Sequence, residues 1–166
     1  VRLPPILGPV SRYRRRARLG VRWVKAKNRV LVGFRERGSN LISDIEACDV
    51  LDPRIGPFLS RIEETIGAMA SFDQVPQVEV VAGDDVLALV FRHLNPLSRN
   101  DEEHLINLGI RTGWHIYLQS KGPETVHRIW PAGDNVYLSY RIGEFGLEYK
   151  FKVTDFTQIN AYINRK

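Results

Sequence analysis

Ser11-Arg12-Tyr13-Arg14-Arg15-Arg16-Ala17-Arg18-Leu19-Gly20-Val21-Arg22-Trp23 crowds five arginines into the seven positions from Arg12 to Arg18. Its period matters as much as its charge. Taking every second residue, Tyr13, Ala17, Leu19, Val21 and Trp23 fall on one side, and Arg12, Arg14, Arg16, Arg18 and Arg22 on the other. Only Arg15 breaks the apolar side. The pattern predicts a strand with one face on a core and a row of guanidinium groups toward solvent. Guanidinium is always charged, and its fork matches phosphate oxygens in bidentate fashion. A disordered basic tail, the usual meaning of a charge run, needs no such alternation. The stretch therefore predicts a nucleic-acid surface.

Working outward, Lys27-Asn28-Arg29 makes a turn and Val30 to Arg35 returns as the hairpin partner. A short third strand is expected over Leu41 to Ile45. The period then changes. Ile55, Phe58, Leu59, Ile62, Ile66 and Met69 recur at three and four, which predicts an amphipathic helix entered through Asp52-Pro53. Val78 to Val81 and Val86 to Leu94 read as strands joined at Ala82 to Asp85. Ser98-Arg99-Asn100-Asp101 matches a capping box opening a second helix, with Leu105, Ile106 and Ile110 as its apolar stripe. Strands follow at Trp114 to Gln119 and Val126 to Trp130. The final hairpin alternates Val136, Leu138, Tyr140 and Ile142 with polar residues, turns at Gly143 to Gly146, and returns through Leu147, Tyr149, Phe151 and Val153. A Pro-rich lead-in runs from Leu3 to Pro9. The expected fold is α+β, mostly antiparallel sheet with two main helices.

The 166 residues suffice for one domain with a real core. A net charge of +5 and an isoelectric point near 9.6 favour a polyanionic partner. No apolar run approaches a membrane span, so no membrane partner is expected. The single cysteine, Cys48, excludes an internal disulfide and fits a reducing compartment. The chain starts at Val1 without methionine and ends on what reads as the first turns of a helix, Asn160 to Lys166. We therefore expect a fragment of something larger.

No phosphate-binding glycine loop, nucleophile elbow or paired-histidine metal motif is present. His93, His104, His115 and His127 stand singly at no metal spacing. Glu63-Glu64 and Asp101-Glu102-Glu103 read as solvated charge on helix faces, and Asp84-Asp85 as turn residues. Nothing assembles a self-sufficient active site.

Three features taken in order resemble the bacterial 23S rRNA (uracil-5)-methyltransferases: Tyr13 to Leu19; Gly33-Phe34-Arg35 leading to Asp44-Ile45 and Cys48; and Phe156-Thr157-Gln158-Ile159-Asn160-Ala161. The resemblance runs from about Arg12 to the end of the chain. It implies that residues 1–155 are a central domain that handles RNA substrate, and that residues 156–166 begin an S-adenosylmethionine-dependent catalytic domain. In that family four cysteine thiolates hold a [4Fe–4S] cluster, and Cys48 matches the one in the central domain. Gln158 matches a residue lying against the methyl donor and target uridine. Phe156 matches one that supports the flipped base, whose unstacking must be offset. Asn160 is a weaker match that supports local backbone.

The reaction implied for the parent enzyme is methyl transfer to uridine C5. A cysteine thiolate adds to C6, and a base removes the C5 proton. Both groups lie outside this chain, and Cys48 does not occupy the nucleophile's position. The chain alone is expected to be inactive, with neither S-adenosylmethionine nor a cluster bound. Its expected partner is 23S rRNA, not DNA, in the cytoplasm. Within the basic strand Arg14, Arg16 and Arg18 are the expected RNA contacts, while Arg15, on the wrong face, is expected to have a structural partner such as a buried carboxylate. A relative that modifies tRNA at the same atom, or a stand-alone RNA-binding module, are the alternatives.

Overall fold

A computed structural model describes residues 4–134 and 136–166. The first residue of the Pro-rich lead-in, Leu3, lies outside the described residues. The strands are β1 (Arg16–Val24), β2 (Arg29–Gly33), β3 (Gln77–Ala82), β4 (Leu87–Arg92), β5 (His115–Gln119), β6 (His127–Trp130), β7 (Leu138–Ile142) and β8 (Leu147–Phe151). The helices are α1 (Leu59–Gly67), α2 (Arg99–Thr112) and the short α3 (Ala161–Asn164). Six strands form one sheet in the order β2-β1-β3-β4-β5-β6, and β7-β8 form a separate ribbon. All neighbours are antiparallel except β4 and β5, which α2 joins as a parallel crossover. This is the expected α+β class.

Three layers follow from the strand period. Val78, Val80, Leu89, Phe91, Ile116 and Leu118 pack with Ile62 and Ile66 of α1 and with Leu105 and Leu108 of α2. Their sequence neighbours Val81, Ala88, Val90 and Tyr117 point the other way and pack on Leu138, Phe151 and Val153 of the ribbon and its exit. Burial on both faces explains why β3 to β5 read as nearly continuous apolar runs. On β1, Ala17, Leu19 and Val21 join the helix-side core as the alternation predicts.

Several local expectations are corrected. Leu41 to Ile45 is not a strand; it makes one bridge, Arg35 to Ile42, and folds over the sheet as a loop. Ile42 is buried against the spot where Gly20 has no side chain, so a Cβ there would collide with it. The helix does not start at Asp52-Pro53. A 3-10 turn at Gly56–Phe58 leads into it, while the Asp52 carboxylate accepts from the Arg54 backbone N–H at 3.0 Å. On α2 the buried stripe is Leu105 and Leu108, and Ile110 is exposed. Ser98 Oγ accepts from the Asp101 N–H at 3.1 Å, the first arm of the capping box. The second arm is missing, because the buried Asp101 carboxylate accepts from Ala70 N and Ser71 Oγ, both at 2.7 Å. Glu63 is likewise buried, accepting from Val32 N and Arg29 Nη1, both at 2.9 Å. Burial pushes its pKa up, against those two partners.

Candidate nucleic-acid interface

The basic stretch enters the sheet through an irregular turn. Arg12 has φ 58°, and its N–H donates to Asp49 O at 2.6 Å. Beyond it the backbone of Arg14 is bridged on one side by Leu51 and on the other by Asn160. The Arg15 N–H donates to Ile159 O at 2.9 Å. The opening arginines and the closing Phe156–Asn160 segment, far apart in sequence, are therefore adjacent.

The individual arginines have different fates. The Arg14 guanidinium sits 5.5 Å from the centroid of the Phe34 ring, with its Nε buried and unpartnered. Arg15 pairs with Asp84, whose side chain is 19% exposed, which fulfils the expectation of a structural carboxylate. Arg16, expected to face solvent, is held internally. Its Nε donates to Glu79 Oε1 at 2.8 Å, and its two Nη groups donate to the carbonyls of Val153 (2.8 Å) and Asp155. The alternation is right, but the chain leaving the ribbon crosses the polar side of β1 at that point. Arg18 remains open, its side chain 73% exposed and 3.7 Å from Glu79 Oε2.

Asp84 is an organising centre that the turn reading missed. Besides Arg15 it accepts from Arg165 Nη2 at 2.7 Å and from the Arg141 N–H at 2.9 Å. Burial alone would raise its pKa; those hydrogen bonds, with the charges of Arg15 and Arg165, hold it below the ordinary carboxylate value.

Phe156 and Gln158 are exposed, with Phe156 at 84%. With Ile159, Asn160, Ile163 and Asn164 they line an open groove of about 510 Å³. Asn160 Oδ1 caps α3, accepting from Tyr162 N at 3.1 Å and Ile163 N at 3.2 Å. One exposed amide on an open groove does not by itself make a methyl-donor pocket. Cys48 is half-buried in a depression of about 260 Å³ shared with Arg12, Asp49 and Gly56. Among the described residues no group of three or more His, Cys, Asp or Glu could hold a metal. A single thiolate does not hold a cubane cluster, so these residues alone do not fit one.

No family model matches the chain. It is 44% identical over 164 residues to a 23S rRNA (uracil(1939)-C(5))-methyltransferase of Alcanivorax borkumensis, covering 99% of this chain and 37% of that protein. A protein of the same name from Nitrosococcus oceani is 50% identical over 166 residues, covering 99% of this chain and 36% of that protein. Nearly the whole of the chain is thus similar in sequence to one part of these methyltransferases. It spans a little over a third of the length of the curated relatives it matches. Among solved structures, the Pyrococcus abyssi tRNA (uracil-54, C5)-methyltransferase in complex with S-adenosyl-L-homocysteine matches with a TM-score of 0.62. The match covers 93% of this chain and 38% of that one at 18% identity, and it shows a shared fold.

Proposed function

We propose that this chain is the RNA-positioning part of an S-adenosylmethionine-dependent enzyme that forms 5-methyluridine in 23S rRNA. The observation carrying this reading is 43–50% identity, over 98–99% of the chain, to proteins named as 23S rRNA uracil-C5-methyltransferases. The exposed Arg18 and the Phe34-stacked Arg14 are its RNA contacts; Arg16 serves by fixing the ribbon exit. Residues 1–155 handle RNA, and 156–166 lead into the donor-binding domain. Phe156 supports the extruded base, and Gln158 lies against donor and uridine. Their exposure on an open groove supports roles completed by protein outside these residues. The methyl donor, when bound, supplies the electrophilic methyl group. Cys48 contributes one thiolate to a [4Fe–4S] cluster whose other ligands lie outside this chain. The enzyme works in the cytoplasm, a reading supported by the single free cysteine and by the ribosomal RNA named as the substrate of its relatives.

The test is methylation by the intact protein that contains this chain, given S-adenosylmethionine and a 23S rRNA transcript, with 5-methyluridine read by mass spectrometry. Product on rRNA is expected, and none from the 166-residue chain alone. Product on tRNA and none on rRNA would select the tRNA-modifying relative. RNA binding with no methylation of either would select a stand-alone binding module.

A further inference from the structure

The sheet face opposite the helices is only partly covered. Val81, Ala88, Val90 and Tyr117 lie under the ribbon. Further along the same strands, where the ribbon does not reach, Gln77, Arg92 and Gln119 form one cross-strand row: Gln77 pairs with Arg92, and Arg92 with Gln119. Arg18 and Glu79, paired across β1 and β3, stand in the next row. Lys121 follows at the end of β5, where its carbonyl accepts from Gln119 Nε2 at 3.2 Å. Together these residues line a groove of about 280 Å³, walled by Val153-Thr154 on the ribbon exit and by Gly122-Pro123.

The charge in this groove is unbalanced. Its lining carries Arg16, Arg18, Arg92 and Lys121 against a single carboxylate, Glu79. That carboxylate is already held by Arg16 at 2.8 Å. Arg92 and Lys121 are exposed, and among the described residues neither side chain has an acidic or hydrogen-bonding partner. By contrast Arg15, Arg54 and Arg165 are each tied to a carboxylate. Three cations from three separate strands or strand ends thus converge on one walled concavity, where the nearest carboxylate, Glu79, is held by Arg16 and reaches only Arg18, loosely at 3.7 Å.

We propose that this groove holds the phosphodiester backbone of a single RNA strand, with Arg18, Arg92 and Lys121 as its phosphate contacts. The inference rests on the reading of the chain as RNA-positioning, and extends the surface from the basic strand to two residues that no sequence pattern marked. The lining offers phosphate donors and, among the described residues, no aromatic side chain on which a base could stack. The contact therefore follows backbone charge and not base identity. The broad convex surface of an A-form duplex does not enter a walled groove of this size, which selects one strand.

The experiment is fluorescence anisotropy of the 166-residue chain with a short uridine-containing RNA oligonucleotide across a salt series. Arg92→Ala and Lys121→Ala are expected to weaken binding, each flattening the log–log salt slope by about 0.7, and additively when combined. Both side chains are exposed, so the variants should fold; circular dichroism checks this. Arg111→Ala, on the exposed face of α2 across the sheet, should leave the slope unchanged. Equal losses from Arg111→Ala would reduce the effect to net charge and overturn the groove. Unaltered slopes in Arg92→Ala and Lys121→Ala while Arg14→Ala still weakens binding would overturn the groove and leave the RNA-positioning reading standing. Absence of RNA binding even at low salt would overturn both. A DNA strand of the same sequence bound more tightly than the RNA would overturn RNA as the occupant.

Discussion

Arg165, at the end of α3, donates to Asp84 Oδ1 at 2.7 Å, and Arg15, before β1, donates to the same oxygen. The second oxygen of Asp84 accepts from the Arg141 N–H on the ribbon, and Arg165 Nε returns a bond to Arg141 O at 2.9 Å. One carboxylate therefore ties the entry to the sheet, the ribbon and the closing helix. Asp84→Asn should cost about 1–2 kcal/mol in denaturant unfolding, below the cost of breaking a fully buried pair because Arg15 and Arg165 keep 22% and 35% exposure. Amide exchange over 156–166 should accelerate more than exchange in β3 and β4. Unchanged protection of 156–166 would show that Asp84 does not hold the segment.

The same carboxylate sets an acid limit. Burial pushes Asp84 up and its arginine and backbone partners push it down further, leaving it below the ordinary 3.8. Asp101 is depressed in the same way: burial raises it, while Ser71, Ser98 and the Ala70 N–H outweigh that. As pH falls through the ordinary carboxylate range, the unfolded chain takes up protons that the folded chain refuses. The contribution of these two carboxylates should therefore be level above about pH 5 and decline below about pH 4. Asp84→Asn and Asp101→Asn should each shallow that decline in urea midpoints measured against pH. A decline of equal steepness in both variants would place the acid sensitivity elsewhere.

What was legible in the sequence was whatever a local period records. Ala17, Leu19 and Val21 face the core, Ser98 caps α2, and Gly143 to Gly146 turns the ribbon, because each depends on neighbours within a few residues. What was not legible depends on contacts across the chain. Arg16 and Arg18 share one side of one strand; only the ribbon exit, more than a hundred residues away, makes the first internal and leaves the second open. Glu63 and Asp101 read as solvated because their backbone partners, Val32 and Ala70, belong to other elements. Arg92 and Lys121 carry no motif at all; sheet register brings them beside Arg18.

That difference between Arg16 and Arg18 can be measured. Arg16→Ala removes donors to Glu79, Val153 O and Asp155 O, and should lower stability by about 1–3 kcal/mol. Arg18→Ala removes an exposed side chain with one loose ion pair and should change stability by no more than about 0.5 kcal/mol. RNA affinity should show the opposite ranking once both proteins are compared in their folded range. A destabilised Arg18→Ala beside a stable Arg16→Ala would exchange the two roles.

Gly56 offers a test of the Cys48 loop. A Cβ at position 56 would lie 2.5 Å from Cys48 O, a backbone atom that cannot rotate away as a side-chain tip can. The same two residues are already joined by the Cys48 N–H donating to Gly56 O at 2.9 Å. Gly56→Ala must therefore push the two backbone segments apart, at a cost of about 1–3 kcal/mol. Since Cys48 is the one cysteine of the sequence, thiol labelling reports on this loop alone, and it should speed up in Gly56→Ala. Cys48→Ser gives the blank. In the intact protein the displaced loop should also hold less iron if Cys48 is a cluster ligand, and normal iron alongside faster labelling would remove that role. Labelling and stability both equal to the unaltered chain would mean that Gly56 is not what sets the position of Cys48.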